Sequence, residues 1–279
     1  MRDDRIREEV RKRYGERAND GCSCCGSSKS AQSLSQAIGY SDEQLAAVPE
    51  GANLGLGCGN PTALASLKEG ETVLDLGAGA GLDCFLAAQA VGPTGRAIGV
   101  DMTPEMIDRA RKSARKNGIE NVEFRLGEIE HLPMADEAVD VVISNCVVNL
   151  SPDKAQVFRE AYRVLRAGGR LLISDIVLDK PLPEKIRDSI EAYVGCVAGA
   201  SMRSDYIDAI AAAGFDDIEV LIDTSANAAF GGPEEPPRKA KIMVDGEEVG
   251  PASLRLDEAG VMQLAGTVSS VTVKASKAG

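Results

Sequence analysis

The stretch that decides the fold is residues 73–81, VLDLGAGAG, taken together with residues 96–101, RAIGVD. VLDL is a short apolar run carrying one carboxylate, Asp75, and it breaks on Gly77, Gly79 and Gly81 just before the helical stretch LDCFLAAQAV. Glycine belongs where a turn needs unusual φ/ψ angles or where a ligand must approach the backbone. RAIGVD is a second apolar run and ends on Asp101, roughly 20 residues after the glycines, where a carboxylate can accept both hydroxyls of a ribose. Strand, glycine turn, helix and acid-ended strand make one βαβ unit of a parallel sheet.

The alternation continues on both sides of this unit. TPEMIDRARKSARKNG predicts a helix with Thr103 as N-cap, Pro104 at its first position and Gly118 past its end. VEFRLG, AVDVVISN and RLLISDIV predict strands three to five, with the helix PDKAQVFREAYRVLRAGG before the fifth. Two further helices, PEKIRDSIEAYVGCVAGA and SDYIDAIAAAGF, precede another strand at 217–222. Beyond the linker-like GGPEEPP at 231–237 come a hairpin, KIMVDGEEV, turning on Asp-Gly, and a last strand, TVSSVTVKA. Upstream, residues 1–20 read as a polar helix whose apolar stripe is Ile6, Val10 and Tyr14. The loop GCSCCGSSKSAQS follows, and then a short helix capped by Ser41 or Asp42.

The expected fold is therefore α/β: a Rossmann-like, mostly parallel sheet with an N-terminal helical and Cys-loop extension and a small β-containing C-terminal region. The expected division is 1–60 for the N-terminal helix and Cys-rich loops, 61–178 for the core, 179–222 for helices and a strand completing the substrate side, and 223–279 for a C-terminal extension.

Composition narrows the function. The chain has 279 residues with a formal net charge of −12, a poor match to nucleic acid or anionic membrane. No apolar run approaches the ~18 residues that span a bilayer. The opening MRDDRIREEVRKRYGERAND is charged throughout and unlike a secretory signal. A cytoplasmic setting is expected, with the seven cysteines mostly reduced and an odd count arguing against a disulfide framework.

The glycine spacing G-x-G-x-G departs from the pyrophosphate fingerprint G-x-G-x-x-G, and Asp75 makes the loop acidic. An acidic loop disfavours a pyrophosphate and favours a sulfonium cation. DLGAGAG resembles the first motif of the class I S-adenosylmethionine methyltransferases. That resemblance implies S-adenosylmethionine as cofactor, with Asp75, Gly77, Gly79, Gly81, Asp101, Met102, Glu128, Ile129 and Asn145 as its candidate site. Glu128 lies in LGEIEHLP after strand three, where this fold contacts adenine.

The acceptor is the harder question. A general base is usual where the acceptor must lose a proton, yet the one histidine, His131, stands alone in a loop. Aromatic residues make up 4% of the chain and tryptophan is absent, so a cage for a large aromatic substrate is not expected. Cysteines are what the chain offers. Cys58 sits between glycines in GLGCGNP, Cys146 ends strand four in ISNCVVNL, and Cys196 lies in YVGCVAGA. They are spaced too widely for a zinc knuckle, and each alone reads as a buried thiol. Cys84, on the first crossover helix, reads as a small core residue.

With their flanks, NLGLGCGNPTALA, GVDMTPEMI, LGEIEHLP, SNCVVNLSPDK and GCVAGA closely resemble the arsenite S-adenosylmethionine methyltransferases over residues 33–222, and again at SVTVKASK. The resemblance implies that Cys58, Cys146 and Cys196 bind As(III) or its thiol conjugates. It also implies that Cys24 or Cys25 relays electrons, with thioredoxin or glutathione as reductant; Cys22 stands in the same CSCCG cluster. The chemistry agrees: soft As(III) prefers thiolates, and its lone pair carries no proton, so no general base is needed. Two alternatives stay open, a protein that sequesters or senses metalloids without turnover, and a methyltransferase for a small organic acceptor. Residues 223–270 match no motif of the resembled family.

Overall fold

The computed structural model describes residues 3–19, 27–182, 187, 193, 196–225, 242–244, 247–249 and 267–279. In chain order the elements are helices α1 (Asp3–Asn19), α2 (Ser27–Ala37), α3 (Asp42–Ala47) and α4 (Pro61–Leu64), strand β1 (Thr72–Leu76), α5 (Leu82–Val91), β2 (Arg96–Asp101), α6 (Pro104–Lys116), β3 (Val122–Leu126) and β4 (Val139–Asn145). A 3₁₀ turn (Val148–Leu150), α7 (Lys154–Val164), β5 (Leu165–Leu178), α8 (Arg203–Ala212), β6 (Asp216–Ser225), β7 (Ile242–Val244), β8 (Glu247–Val249) and β9 (Val268–Ser276) follow. The helix read over 183–200 lies mostly outside the described residues. Among the described residues no helix is long and apolar enough to cross a membrane.

Seven strands form one sheet in the order β3-β2-β1-β4-β5-β9-β6, with β1 to β5 parallel and β9 antiparallel to both β5 and β6. The strand order reverses between β1 and β4, so the carboxyl ends of these two strands flank the crevice where doubly wound sheets hold ligands. Strand periodicity sorts the core onto two faces. Leu74, Leu76, Val142, Leu171 and Ile173 point to α7 and α8, where Val157, Phe158, Tyr206 and Ile210 meet them. Val73, Val141, Ile143 and Leu172 point to the opposite face, against Cys84, Phe85, Ala88 and Val91 of α5. Cys84 is fully buried there, the core role its position suggested.

Three local expectations are refined. Ser41, not Asp42, caps α3, through a reciprocal capping box with Gln44. Thr103 is the N-cap of α6 by position but makes no side-chain cap; Asp101 instead accepts its N–H at 2.8 Å. Helix α7 ends at Val164, because Leu165 already pairs with Val139 before a register shift leads to the Val141–Arg170 pair. The last strand, expected within a C-terminal extension from residue 223, lies inside the main sheet, where β9 is bonded to β5 over Leu178–Arg170. Order along the chain does not report order across a sheet, and an antiparallel return strand can fill a place left between earlier ones. The hairpin β7–β8 forms a separate two-stranded sheet.

Candidate active site

The donor side is built by one local segment. Gly77, Gly79 and Gly81 all have positive φ, the left-handed backbone that favours glycine. A Cβ on Gly77 would lie 2.4 Å from Val147, whereas one on Gly79 would meet nothing within 4 Å. The turn is therefore pressed against the loop after β4 at one glycine and open to a ligand at the next. Asp101 closes the unit from β2: its carboxylate accepts the N–H of Gly79 at 2.9 Å as well as that of Thr103. The acid that would take ribose hydroxyls is thus tied to the glycine turn.

The cleft above this turn is acidic, with Asp75, Asp83, Asp101 and Glu130 in its lining. Burial and the neighbouring Asp83 hold the Asp75 carboxyl well above the usual range, and burial alone is the main cause at Asp83 and Asp101. Clustered buried carboxylates repel one another, and a cation placed among them relieves that cost. The residues present therefore fit a nucleoside carrying positive charge better than a pyrophosphate. Met102, Gly127, Ile129 and Asn145 also line the cleft. Glu128 is not among the residues that line the cleft; its carboxylate forms ion pairs with Arg7 and Arg11 of α1. Glu130, two residues on, takes the inward place and accepts bonds from Ser151 at 2.7 Å and Arg7 at 3.2 Å.

The acceptor side is assembled from distant loops. Cys146 follows β4 with φ 61° and donates its N–H to the Ser174 carbonyl of β5 at 2.8 Å. Cys58 points its thiol at the same carbonyl, at 3.4 Å. Cys196, with φ 63°, donates its thiol to the Cys146 carbonyl at 3.1 Å. A non-glycine residue in this region costs about 1–3 kcal/mol and persists only where its surroundings enforce it; here two of the three candidate cysteines share it. Val10, Cys146, Leu150 and Cys196 form one buried cluster, with Ile6, Tyr14, Cys58 and Met102 packed against it. The apolar stripe of α1 thus roofs the thiols.

These thiols are held neutral. Burial pushes Cys58 up. For Cys146 the Cys196 hydrogen bond pulls down, but the bond with Cys58 and burial prevail and leave it well above the ordinary value. Cys196 is raised by its bond with Cys146 and by burial. Their electrostatic neighbour is Asp175, whose carboxylate and the sulfurs of Cys58 and Cys146 all lie within 4.8 Å of one another. Asp175 accepts four bonds, from the Asn149 N–H and amide, the Ile176 N–H and the Tyr206 hydroxyl, so it is an anchored charge rather than a spare ligand. Burial pushes it up to about 6.

A polar bridge ties the two sides together. Asn145, at the end of β4, accepts the Cys58 N–H at 2.9 Å and donates to the Gly59 carbonyl and Tyr40 hydroxyl, each at 2.8 Å. Asp83, on the first turn of α5, accepts from Tyr40 and from Thr62. The Cys58 loop is therefore hung from the helix that opens the donor site. Sequence reasoning placed Asn145 with the donor and missed Tyr40, Asp83 and Asp175. A lone aspartate inside the apolar run LLISDIV was the available signal for Asp175. His131 donates only its backbone N–H, to Glu128, among the hydrogen bonds described for it. Cys22, Cys24 and Cys25 lie outside the described residues.

A doubly wound sheet with an open glycine turn, an acid at the end of β2 and an acidic cleft defines a Rossmann-like protein for a cationic nucleoside. The chain belongs to the methyltransferase domain family, whose model matches residues 67–225. It is 54% identical to an arsenite methyltransferase of Halobacterium salinarum over 77% of this chain and 58% of that one. An arsenite methyltransferase of Aquipseudomonas alcaligenes is 42% identical over 60% of this chain and 50% of its own length. This chain thus spans 58% and 50% of the lengths of these two relatives. Among solved structures, CrArsM, an arsenic (III) S-adenosylmethionine methyltransferase from Chlamydomonas reinhardtii, superposes with a TM-score of 0.63 at 33% identity, covering 88% of this chain and 73% of that one.

Proposed function

We propose that this chain methylates trivalent arsenic, with S-adenosylmethionine as donor and Cys58, Cys146 and Cys196 as arsenic ligands, and so serves arsenic detoxification. The observation that carries the reading is the packing of Cys146, Cys196 and the half-buried Cys58 in one cluster from loops far apart in sequence, with Cys146 lining the cleft over the glycine turn. As As(OH)₃ the substrate takes three neutral thiols, releasing three waters and no net proton. Raised thiol pKa values suit that exchange, and no histidine is required. Three sulfurs leave the arsenic lone pair as the free vertex of a pyramid.

When bound, S-adenosylmethionine supplies an electrophilic methyl on cationic sulfur: the arsenic lone pair forms the As–C bond as the C–S pair stays behind on sulfur. The chain's share is orientation and charge. Asp101 would hold the ribose, Asp75 and Asp83 would complement the cation, and Ile129 with Gly127 would wall the far end. Asn145 fixes the Cys58 loop relative to the donor turn, which is where proximity acts. Transfer leaves arsenic formally pentavalent. A thiolate attacking one ligand sulfur then forms S–S as the As–S bond breaks, and the electron pair returns to arsenic. We assign that thiolate to Cys22, Cys24 or Cys25, and resetting of the disulfide to a thiol reductant such as thioredoxin or glutathione.

The test is a methylation assay with As(III), S-adenosylmethionine and excess thiol. Wild type should form methylarsenicals, and Cys58→Ser, Cys146→Ser and Cys196→Ser should each fail. Donor binding by wild type with no methylarsenical product would overturn the arsenic reading.

A further inference from the structure

Helix α1 does more than cover the thiols. Near its start Arg7 bonds to Glu130, and Arg11 pairs with Glu128. Near its end the Ala18 carbonyl accepts from Arg109 of α6 at 2.9 Å. Between these ties Gly15 faces the Glu105 side chain of α6, whose carboxylate would lie 3.1 Å from a Cβ there. The register of α1 over the cleft is therefore fixed, and with it the residue beside Gly15.

That residue is Tyr14. It packs against the thiol cluster containing Cys146 and Cys196, and equally against the cluster of Ala80 and Met106 on the donor side. Among the described residues it is the one aromatic side chain in the cleft lining. Burial is the main cause that raises its hydroxyl.

We propose that Tyr14 is a positioning residue for methyl transfer: its ring roofs the space between the thiol cluster and the glycine turn, holding donor methyl and arsenic in line. This rests on the arsenic reading above. The physical ground is that in-line attack tolerates little misplacement, a shift of about 1 Å costing on the order of 100-fold in rate. A flat, rigid ring fills such a gap with few rotamers, where a flexible aliphatic side chain leaves slack. The ring, not the hydroxyl, carries the role, since the transfer moves no proton.

Single-turnover methylation with As(III) preloaded tests this free of the reductive steps. Tyr14→Phe should keep the wild-type rate within about threefold, and Tyr14→Leu should lose about 100-fold, with KM for S-adenosylmethionine and the affinity for As(III) nearly unchanged. Thermal melts check folding, and Tyr14→Met replaces Tyr14→Leu should the latter not fold. A full rate in the folded Leu or Met variant overturns the inference. So does a loss confined to KM, which would make Tyr14 a binding or structural residue, or an equal loss in Tyr14→Phe, which would shift the role to the hydroxyl. No product from wild type would overturn the arsenic reading and this inference together; product from wild type with an unaffected Tyr14→Leu overturns this inference alone.

Discussion

The two halves of the cleft are built in opposite ways. The donor half is a single βαβ unit, in which the glycine turn and Asp101 lie within one short stretch and bond directly to each other. The thiol half gathers Cys58, Cys146 and Cys196 from three loops and keeps two of them in left-handed backbone. A local site is held by its own turn. An assembled site depends on whatever ties its loops together, which here means Asn145, Asp175 and the roof of α1.

The largest effect should come from the thiols. Losing Cys146 or Cys196 to Ser removes a soft ligand from a set of three and should weaken As(III) binding by at least about 100-fold, measured by calorimetry, while S-adenosylmethionine still binds. Equal loss of donor binding would show that the halves are not separable. Next comes the donor half itself. Asp101→Ala removes charge-assisted bonds, so donor affinity should fall by roughly 10- to 100-fold, with As(III) affinity unchanged in the same titration.

The bridge should respond in between and on both counts. Asn145→Ala leaves the Cys58 N–H and the Gly59 carbonyl without a partner, for about 3 kcal/mol of stability, read in urea melts. As(III) affinity should fall more than donor affinity, because Cys58 hangs from this side chain. An unchanged As(III) affinity would argue that the Cys58 loop is self-supporting.

Asp175 gives the thiol half a pH signature. Its folded pKa of about 6 lies above the ~3.9 of an unfolded chain. Below ~3.9 both states are protonated and nothing is lost. As pH rises towards about 6 the unfolded chain ionises first, so stability falls across that window and levels off above it. A shift of about 2 units amounts to about 3 kcal/mol. Comparing urea melts at pH 4 and pH 7 for wild type and Asp175→Asn isolates this group, and the wild type should show the steeper fall. Parallel profiles would mean that folding does not raise the Asp175 pKa. The smallest effect belongs to the exposed Arg11–Glu128 pair: Arg11→Ala should cost no more than about 1 kcal/mol and leave both affinities intact.

The same contrast explains what the sequence disclosed. The glycines, Asp101 and the alternating strands were legible because their physics is local, a period or a turn at a time. Cys146 was legible as a residue ending a strand, but its meeting with Cys58 and Cys196 came only from resemblance to a family, since no spacing rule links loops so far apart. The two acids in GEIE look alike in the sequence, and only the fold parts them, with Glu128 paired to α1 and Glu130 lining the cleft. The place of β9 in the sheet was hidden for a related reason: a strand's neighbours are set by long-range packing, and its own residues do not name them.

The most direct measurement is arsenic X-ray absorption on protein loaded with one equivalent of As(III), with Cys22, Cys24 and Cys25 changed to Ser so that no other cluster competes. Three sulfur neighbours and no oxygen is the expected result, dropping to two sulfurs when Cys58 is also Ser. An oxygen-dominated shell, or three sulfurs that survive the loss of Cys58, would contradict the three-thiol site.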